Sequence, residues 1–379
     1  QAPPKEEEDA GSDARGGRAA TASEAREEED AAAAEKEAVE QDAPEDPRER
    51  VPAGSVTIGD APESTLNVMQ ARGGRVLMAL ADKGFQHLLA AARCSAGVKA
   101  GRYMYEVRLV ETRAVEPAHG EPKPRQSCVL GFSTADSSLF IGDGDQSVGF
   151  DLDGFCVADG SWSQRKVFNG LSASNEVYGV LLNVDPSSPN RDTFSLYCDG
   201  KRVCKPQRLP EGMKGKALFP TVNYRSVTLT VNFGPAAFAT MPFVCRMLQD
   251  ASAVDIEVNP RSRRDAADKQ EVLMPTCLPN EGSFDWLKGF LKENPEYSEL
   301  SRRAVIDWAK KSGLSQRRGR RSEDYNDRPT ADFGVSDLDT HGVHYAIRDL
   351  AAALPRSFVV MEVRDNLLAE KRRKILSHF

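Results

Sequence analysis

Short apolar runs with a period of two recur between residues 56 and 245, and Gly, Pro, Asp and Ser separate them. This period is typical of strands that bury one face. In GRYMYEVRLV (101–110) the alternation places four large side chains on one face: Tyr103, Tyr105, Val107 and Leu109. VYGVLLNV (177–184) is apolar almost throughout, which indicates a central strand. Many short strands with turn signals between them predict an antiparallel β-sandwich or barrel.

The stretch DTFSLYCDGKRVC (192–204) predicts a tight β-hairpin. Phe194, Leu196 and Cys198 alternate with polar or aromatic neighbours. Asp199-Gly200 then supplies the dipeptide that most strongly signals a two-residue turn with positive φ. Such a turn places Leu196 opposite Val203, so that both side chains can face one core.

Outside this region the composition changes several times along the chain. The formal net charge is −7, and the acidic excess lies in the first 50 residues, so the remainder is slightly basic. Because the N-terminal segment has almost no large apolar residue, it is expected to be disordered. We predict six parts: an acidic Ala/Glu-rich tail (1–54), the β-sandwich (56–245), a polar linker (246–280), a helical hairpin (281–313), an Arg-rich loop (314–331) and a partial α/β unit (332–379).

Helical spacing of apolar residues appears only towards the C-terminus. NPEYSELSRRAVIDWAKKSGL has this spacing, with Lys310 and Lys311 in its last turn and Gly313 at the position of a C-terminal cap. GSFDWLKGFLKEN before it predicts the partner helix of the hairpin. The last residues read as helix, strand and helix. One strand cannot form a sheet, so this strand either pairs elsewhere in the chain or has its partners outside it.

The motifs of residues 75–235 resemble those of a SPRY domain in order and spacing. GVKAGRYMYEV, VLGFS, SVGFDLDG, VYGVLLNVD, DTFSLYCDGK and KALFPTVNYRSVTLTVNFG match its successive strands. Within that superfamily ARCSAGVKAGRYMYEV and GKALFPTV…VNFG are most similar to the heterogeneous nuclear ribonucleoprotein U-like group. Two departures are the longer turn NVDPSS (183–188) and Asp199-Gly200 where the family has Asn-Gly.

The resemblance implies a protein or peptide ligand bound by loops at one end of the sandwich, without catalysis. Trp, Tyr and Arg are the residue types that dominate binding hot spots. Any single one of these side chains could instead pack beneath its own loop. The matching loop positions are our candidate protein-binding residues: Asp143, Asp145, Trp162, Tyr224 and Arg225.

A second candidate site is the basic run QRRGRR at 316–321. Clustered arginines neutralise phosphates, and such runs also serve as nuclear import signals. A solvated, unbound charge run is the alternative. The residues we predict to contact nucleic acid are Arg317, Arg318, Arg320 and Arg321.

The sequence offers little for catalysis. The phosphate-binding pattern GxxxxGK[ST] is absent, and His341-x-x-His344 with Glu362 specifies no third neighbouring ligand for a metal. Seven Cys without a CxxC pair indicate reduced thiols. We therefore predict a protein that is not an enzyme and has no cofactor or metal.

These observations favour a SPRY interaction scaffold that is nuclear (alternatively cytoplasmic) and associated with ribonucleoproteins. Its partners would be a protein or peptide and, through the Arg-rich segments, RNA; neither a membrane nor a small-molecule substrate is expected. One alternative is an adaptor that presents clients to a ubiquitin ligase or signalling complex. Another is part of a U-like protein whose C-terminal region is a divergent nucleotide-kinase-like unit.

Overall fold

The computed structural model describes ten stretches of the chain: residues 40–52, 54–113, 119–121, 123–170, 175–259, 270–276, 285–317, 331–352, 354 and 356–379. Residues Asp42–Phe379 form one compact unit.

Regular structure within these stretches is mainly β. The strands in chain order are β1 (Val68–Ala71), β2 (Val76–Ala79), β3 (Ala90–Arg93), β4 (Ala96–Val98), β5 (Gly101–Thr112), β6 (Ser127–Ser133), β7 (Ser147–Asp151), β8 (Cys156–Ala158), β9 (Ser161–Trp162), β10 (Val177–Val184), β11 (Thr193–Cys198), β12 (Lys201–Arg202), β13 (Gln207–Arg208), β14 (Phe219–Arg225), β15 (Val227–Asn232), β16 (Arg246–Met247), β17 (Ile256–Val258), β18 (Val272–Leu273), β19 (Tyr297–Leu300) and β20 (Ser357–Val360). The α-helices are α1 (Asp285–Glu293), α2 (Arg302–Lys311), α3 (Thr340–Ala351), α4 (Val363–Asn366) and α5 (Ala369–Leu376).

Two sheets form a sandwich, which confirms the fold class predicted from the alternating pattern. One has the order β1-β2-β15-β5-β10-β11-β12, and the other β3-β14-β6-β7-β8-β9. The neighbours along both orders are antiparallel. The predicted inner face of β5 lies in the main core, and β10 is a central strand: Tyr103, Tyr105, Val107, Leu109, Tyr178, Val180 and Leu182 are all buried there.

The predicted hairpin turn is present between β11 and β12. Asp199 and Gly200 have φ values of 46° and 78°, and Cys198 pairs with Lys201 across them. The Val203 amide donates to the Leu196 carbonyl oxygen at 3.0 Å, and both side chains contact the main core. A Cβ on Gly200 would lie 2.0 Å from the carbonyl oxygen of Thr240, so glycine is required by both conformation and space.

The sandwich extends beyond both of its predicted ends. Residues 246–259 are not a linker, because β16 pairs with β5 and β17 pairs with β4. Residues 42–52 are not a tail, because Val51 is buried in the main core and Arg48 forms an ion pair with Asp255 at 2.8 Å. Residues 1–39 of the predicted tail lie outside the described stretches. Burial of apolar side chains from both segments makes them part of the sandwich.

The C-terminal region is a small parallel α/β module. Its sheet has the order β18-β20-β19, and β20 pairs in parallel with both neighbours. The strand whose partners were uncertain therefore pairs within this chain. Helix α1 packs with Val359, whereas α2 packs with Phe358 and Val360, so the two helices cover opposite faces of β20. The predicted helical hairpin is wrong, since β19 lies between the two helices; Gly313 ends α2 at a φ of 86°.

We predict that Gly200→Ala destabilises the protein more than Gly215→Ala does. Gly215 also has a positive φ, of 73°, but no atom lies within 4 Å of a Cβ there. The control should lower the free energy of unfolding by about 1–2 kcal/mol through left-handed strain alone. Gly200→Ala should add roughly 1–3 kcal/mol, because its methyl group must displace the Thr240 carbonyl. Denaturant unfolding measures both, and equal losses would contradict the close contact.

Candidate interaction surfaces

Tyr224 is a core residue and not a loop residue. It lies on β14 and its side chain is fully buried in the main core. The phenol donates a hydrogen bond to the Met78 carbonyl oxygen at 3.2 Å, and burial raises the pKa of Tyr224 well above its ordinary value. The prediction that Tyr224 contacts a partner is wrong, because the alternation of β14 turns this ring inwards.

Arg225 joins three segments of the chain. Its Nε donates to the Arg125 carbonyl oxygen at 2.6 Å. Its Nη1 donates to the carbonyl oxygens of His87 at 2.9 Å and of Ser312 at 2.8 Å. Burial lowers the pKa of the guanidinium. Since Ser312 follows α2, this side chain fastens the C-terminal module to the sandwich. That Arg225 also contacts a partner stays a prediction.

Helix α2 lies against the sandwich at the segment before β3. The Trp308 Nε1 donates to the Leu89 carbonyl oxygen at 2.8 Å, and the Leu89 amide donates to the Ser312 Oγ at 2.9 Å. The rings of Trp308 and Phe85 have centroids 5.8 Å apart. Phe85 and Leu88 share one buried cluster with apolar residues of the module. This contact is a continuous apolar core sealed by hydrogen bonds.

Asp143 takes part in the same contact. Its carboxylate lies 2.8 Å from the Lys311 Nζ, which also pairs with Asp307 at 2.9 Å. Burial alone would raise the pKa of Asp143, but hydrogen bonds from Lys311 and Ser138 outweigh it and lower that pKa. Lys311 also lies 6.0 Å from the centre of the Phe140 ring. The loop therefore holds a cation between a carboxylate and an aromatic ring.

Two further polar contacts extend the docked surface. Lys83 pairs with Asp349 of α3 at 3.1 Å. The buried Arg356 donates from Nη2 to the Ser64 Oγ at 2.9 Å, and burial lowers the Arg356 pKa to about 10. The module thus contacts the sandwich through α2, α3 and the segment that leads into β20.

The structure brings the chain segments that carry Asp145 and Trp162 into contact. Trp162 is on β9, the last strand in its sheet order, and its side chain is 41% exposed. A Cβ on Gly142 would lie 3.0 Å from the Trp162 Nε1, and one on Gly160 would lie 3.5 Å from the Asp145 nitrogen. The loop 142–145 therefore contacts both the indole of Trp162 and the turn 159–160. Sequence reasoning missed Asp159, an exposed carboxylate in that turn; its signal was the Asp-Gly dipeptide.

The structure describes one of the four arginines predicted to contact nucleic acid. Arg317 is exposed, and its amide donates to the Asp332 carbonyl oxygen at 2.8 Å. Its guanidinium lies against Gly334. Arg318, Arg320 and Arg321 lie outside the described stretches.

The part of the chain that the structure describes contains no group of three or more His, Cys, Asp or Glu placed to hold a metal. Burial raises the pKa of Cys94 and Cys156 to about 12, which disfavours the thiolate that a nucleophile requires. The structure does not describe the side chains of His341 and His344. None of the described helices has the length and apolar character to cross a membrane.

Charged side chains do gather at the carboxyl ends of β19 and β20, where parallel α/β folds commonly bind ligands. The Arg302 amide donates to the Glu362 carboxylate at 3.1 Å. Burial raises the pKa of Glu362 and lowers that of Arg348. A cavity at this place is lined by four apolar residues (Leu300, Ile347, Val360 and Ile375) together with Ser301, Arg302, Arg348 and Glu362.

We predict that Arg225→Ala loosens the docked module and destabilises the whole unit. Hydrogen bonds to a charged group contribute about 1.5–3 kcal/mol each, so the free energy of unfolding should fall by roughly 3 kcal/mol or more. Arg165→Ala is the control, because Arg165 is exposed and such changes stay within about 0.5 kcal/mol. Denaturant unfolding followed by tryptophan fluorescence measures both. A loss as small as that of the control would contradict the fastening role.

Comparisons with known proteins place the chain near one group. No family model matches it. Over 251 residues, 64% of the chain, it is 24% identical to heterogeneous nuclear ribonucleoprotein U-like protein 2 of Mus musculus. It is 23% identical to the Homo sapiens protein of that name. The chain spans 32% of the length of these relatives.

Among solved structures the chain is similar to SPRY domains. That of human HERC1 is 14% identical, with a TM-score of 0.34, 47% of this chain covered and 100% of that one. The PSpry domain of TRIM65 is 16% identical, with a TM-score of 0.32, 46% of this chain covered and 91% of that one. The resemblance predicted from the sequence is confirmed. The chain is similar to SPRY domain proteins and, over 64% of its length, to a heterogeneous nuclear ribonucleoprotein U-like protein.

Proposed function

We propose that this protein is a non-enzymatic interaction scaffold of nuclear ribonucleoprotein complexes, and that it binds a protein partner at the surface formed by Asp145, Asp159 and Trp162. The observation that carries this proposal is the exposed indole on an edge strand, against a loop and a turn that each carry an exposed Asp. A large exposed aromatic side chain at a loop cluster is typical of a binding hot spot. We call these three residues the Trp162 surface.

The docked module supports this choice of surface. Asp143 and Arg225 are engaged with α2 or the residues that follow it, and Tyr224 is in the core. A partner of the intact protein therefore meets the Trp162 surface, and the neighbouring surface is occupied by the chain's own C-terminal module.

The nuclear and RNA-associated part of the proposal is supported by the similarity to U-like protein 2, whose name describes a ribonucleoprotein. Exposed Arg317 begins a run of arginines suited to phosphate contacts. RNA would then be bound by the Arg-rich segment, while the sandwich binds protein.

Site-specific crosslinking tests the protein-binding surface. Trp162 is replaced by the photoreactive p-benzoylphenylalanine in the full chain, and Trp286, which is 39% exposed, is replaced likewise as the matched control. In nuclear extract we expect adducts at position 162 that resist ribonuclease and contain ribonucleoprotein components. Identical adducts at both positions would contradict the proposed surface. Adducts with ubiquitin-ligase subunits would favour the adaptor alternative.

A salt titration tests RNA binding by the Arg-rich segment. Replacing Arg317, Arg318, Arg320 and Arg321 together by Ala should flatten the dependence of affinity on salt. The slope of log affinity against log salt should fall by about 3, since each phosphate contact of a single strand contributes about 0.7. The control replaces four exposed basic residues on helices: Lys310, Lys371, Arg373 and Lys374. An unchanged slope, or an equal change in the control, would contradict RNA binding by the Arg-rich segment.

A further inference from the structure

The loop 138–145 shows how this end of the sandwich accommodates a positive charge. Lys311 lies 2.8 Å from the Asp143 carboxylate and 6.0 Å from the centre of the Phe140 ring. A cation between a carboxylate and an aromatic face gains from both an ion pair and the ring quadrupole. This arrangement is already filled by the chain itself.

The same combination recurs next to it without an occupant. Trp162 presents an exposed indole against the loop 142–145, and Asp145 and Asp159 are exposed on that loop and on the turn that contacts it. Among the residues that the structure describes, no side chain forms a hydrogen bond or ion pair with the indole N–H or with either carboxylate. Asp143, by contrast, is neutralised by Lys311. The Trp162 surface therefore combines an exposed aromatic ring with two carboxylates, and Lys216, which bonds to the neighbouring Gln146 at 2.7 Å, donates to neither of them.

The backbone here also suits an extended ligand. Strand β9 consists of Ser161 and Trp162, which are both exposed, and it pairs with β8 on one side only in the sheet order. An edge strand of this kind offers backbone hydrogen bonds to an added strand. Side chains of such a strand would alternate towards and away from the indole.

We propose that the Trp162 surface binds an extended, arginine-bearing peptide segment of the partner, an inference that rests on the proposed function. A planar guanidinium stacks on an indole while it donates to carboxylates, which a compact ammonium does less well. Charge complementarity selects this occupant, because an acidic segment would be repelled by Asp145 and Asp159. A purely apolar segment would leave both carboxylates without partners.

Fluorine NMR of the full chain labelled with 5-fluorotryptophan tests this inference. The chain has three tryptophans, and Trp→Phe variants at positions 162, 286 and 308 assign their signals. The probe is a short blocked peptide of alternating glycine and arginine. The control peptide carries citrulline, which keeps the shape and removes the charge. We expect the arginine peptide to shift the Trp162 signal in a saturable manner that weakens with salt, while the exposed Trp286 serves as an internal control.

Two variants locate the charge that the peptide meets. Asp145→Asn and Asp159→Asn should each weaken binding about threefold, as expected for exposed ion pairs. Asp185→Asn, at an exposed turn elsewhere, should leave it unchanged. The inference would be overturned if the citrulline peptide shifted the Trp162 signal as much as the arginine peptide does. It would also be overturned if the Trp286 signal shifted equally, or if both Asp variants kept full affinity. If crosslinks at position 162 persist while the arginine peptide fails, the proposed function stands and the partner is not cationic.

Discussion

The arrangement of this protein depends on the guanidinium of Arg225. A buried cation is costly unless its donors are satisfied, and Arg225 satisfies them with carbonyl oxygens of Arg125, His87 and Ser312. Two of these belong to the sandwich and one to the end of α2. The bond to Ser312 forms only when the C-terminal module is docked, which ties the folding of the module to that of the sandwich.

This constraint divides the end of the sandwich into two parts. The part near Asp143 is closed by the chain itself through Lys311 and by the apolar contact of Trp308 with Phe85. The part around Trp162 remains exposed. An intramolecular contact of this kind occupies the part of the loop end near Asp143, whereas Trp162 stays exposed.

Local patterns predicted the sandwich well, because alternation and turn dipeptides act within a few residues. Asp199-Gly200 adopts the expected positive φ values. The predictions that failed concern contacts between residues far apart in the sequence. Residues 42–52 and 246–259 read as polar, yet Arg50 pairs with Ser252, a contact that no local pattern reveals. Tyr224 read as a loop residue because Asn, Arg and Ser surround it, although its strand is central in its sheet. The four residues of β19 were too few to separate from the helix that follows.

Of the candidate site, the sequence identified Asp145 and Trp162 but not their neighbour Asp159. No local sequence pattern links Asp145 with Asp159. Only the contact between the two glycine-containing turns that carry them brings them together. Likewise, nothing local to Arg225 indicates that its partner is the carbonyl of Ser312. Such contacts follow from the tertiary fold, in which a module of the chain packs on one end of the sandwich.

Hydrogen exchange of the native full chain tests the shared fold most directly. The Leu89 amide, which donates to Ser312, and the amides of α2 should open with one common free energy and lose protection together in denaturant. Early exchange of α2, with the sandwich still protected, would show that the module undocks on its own and would contradict the account.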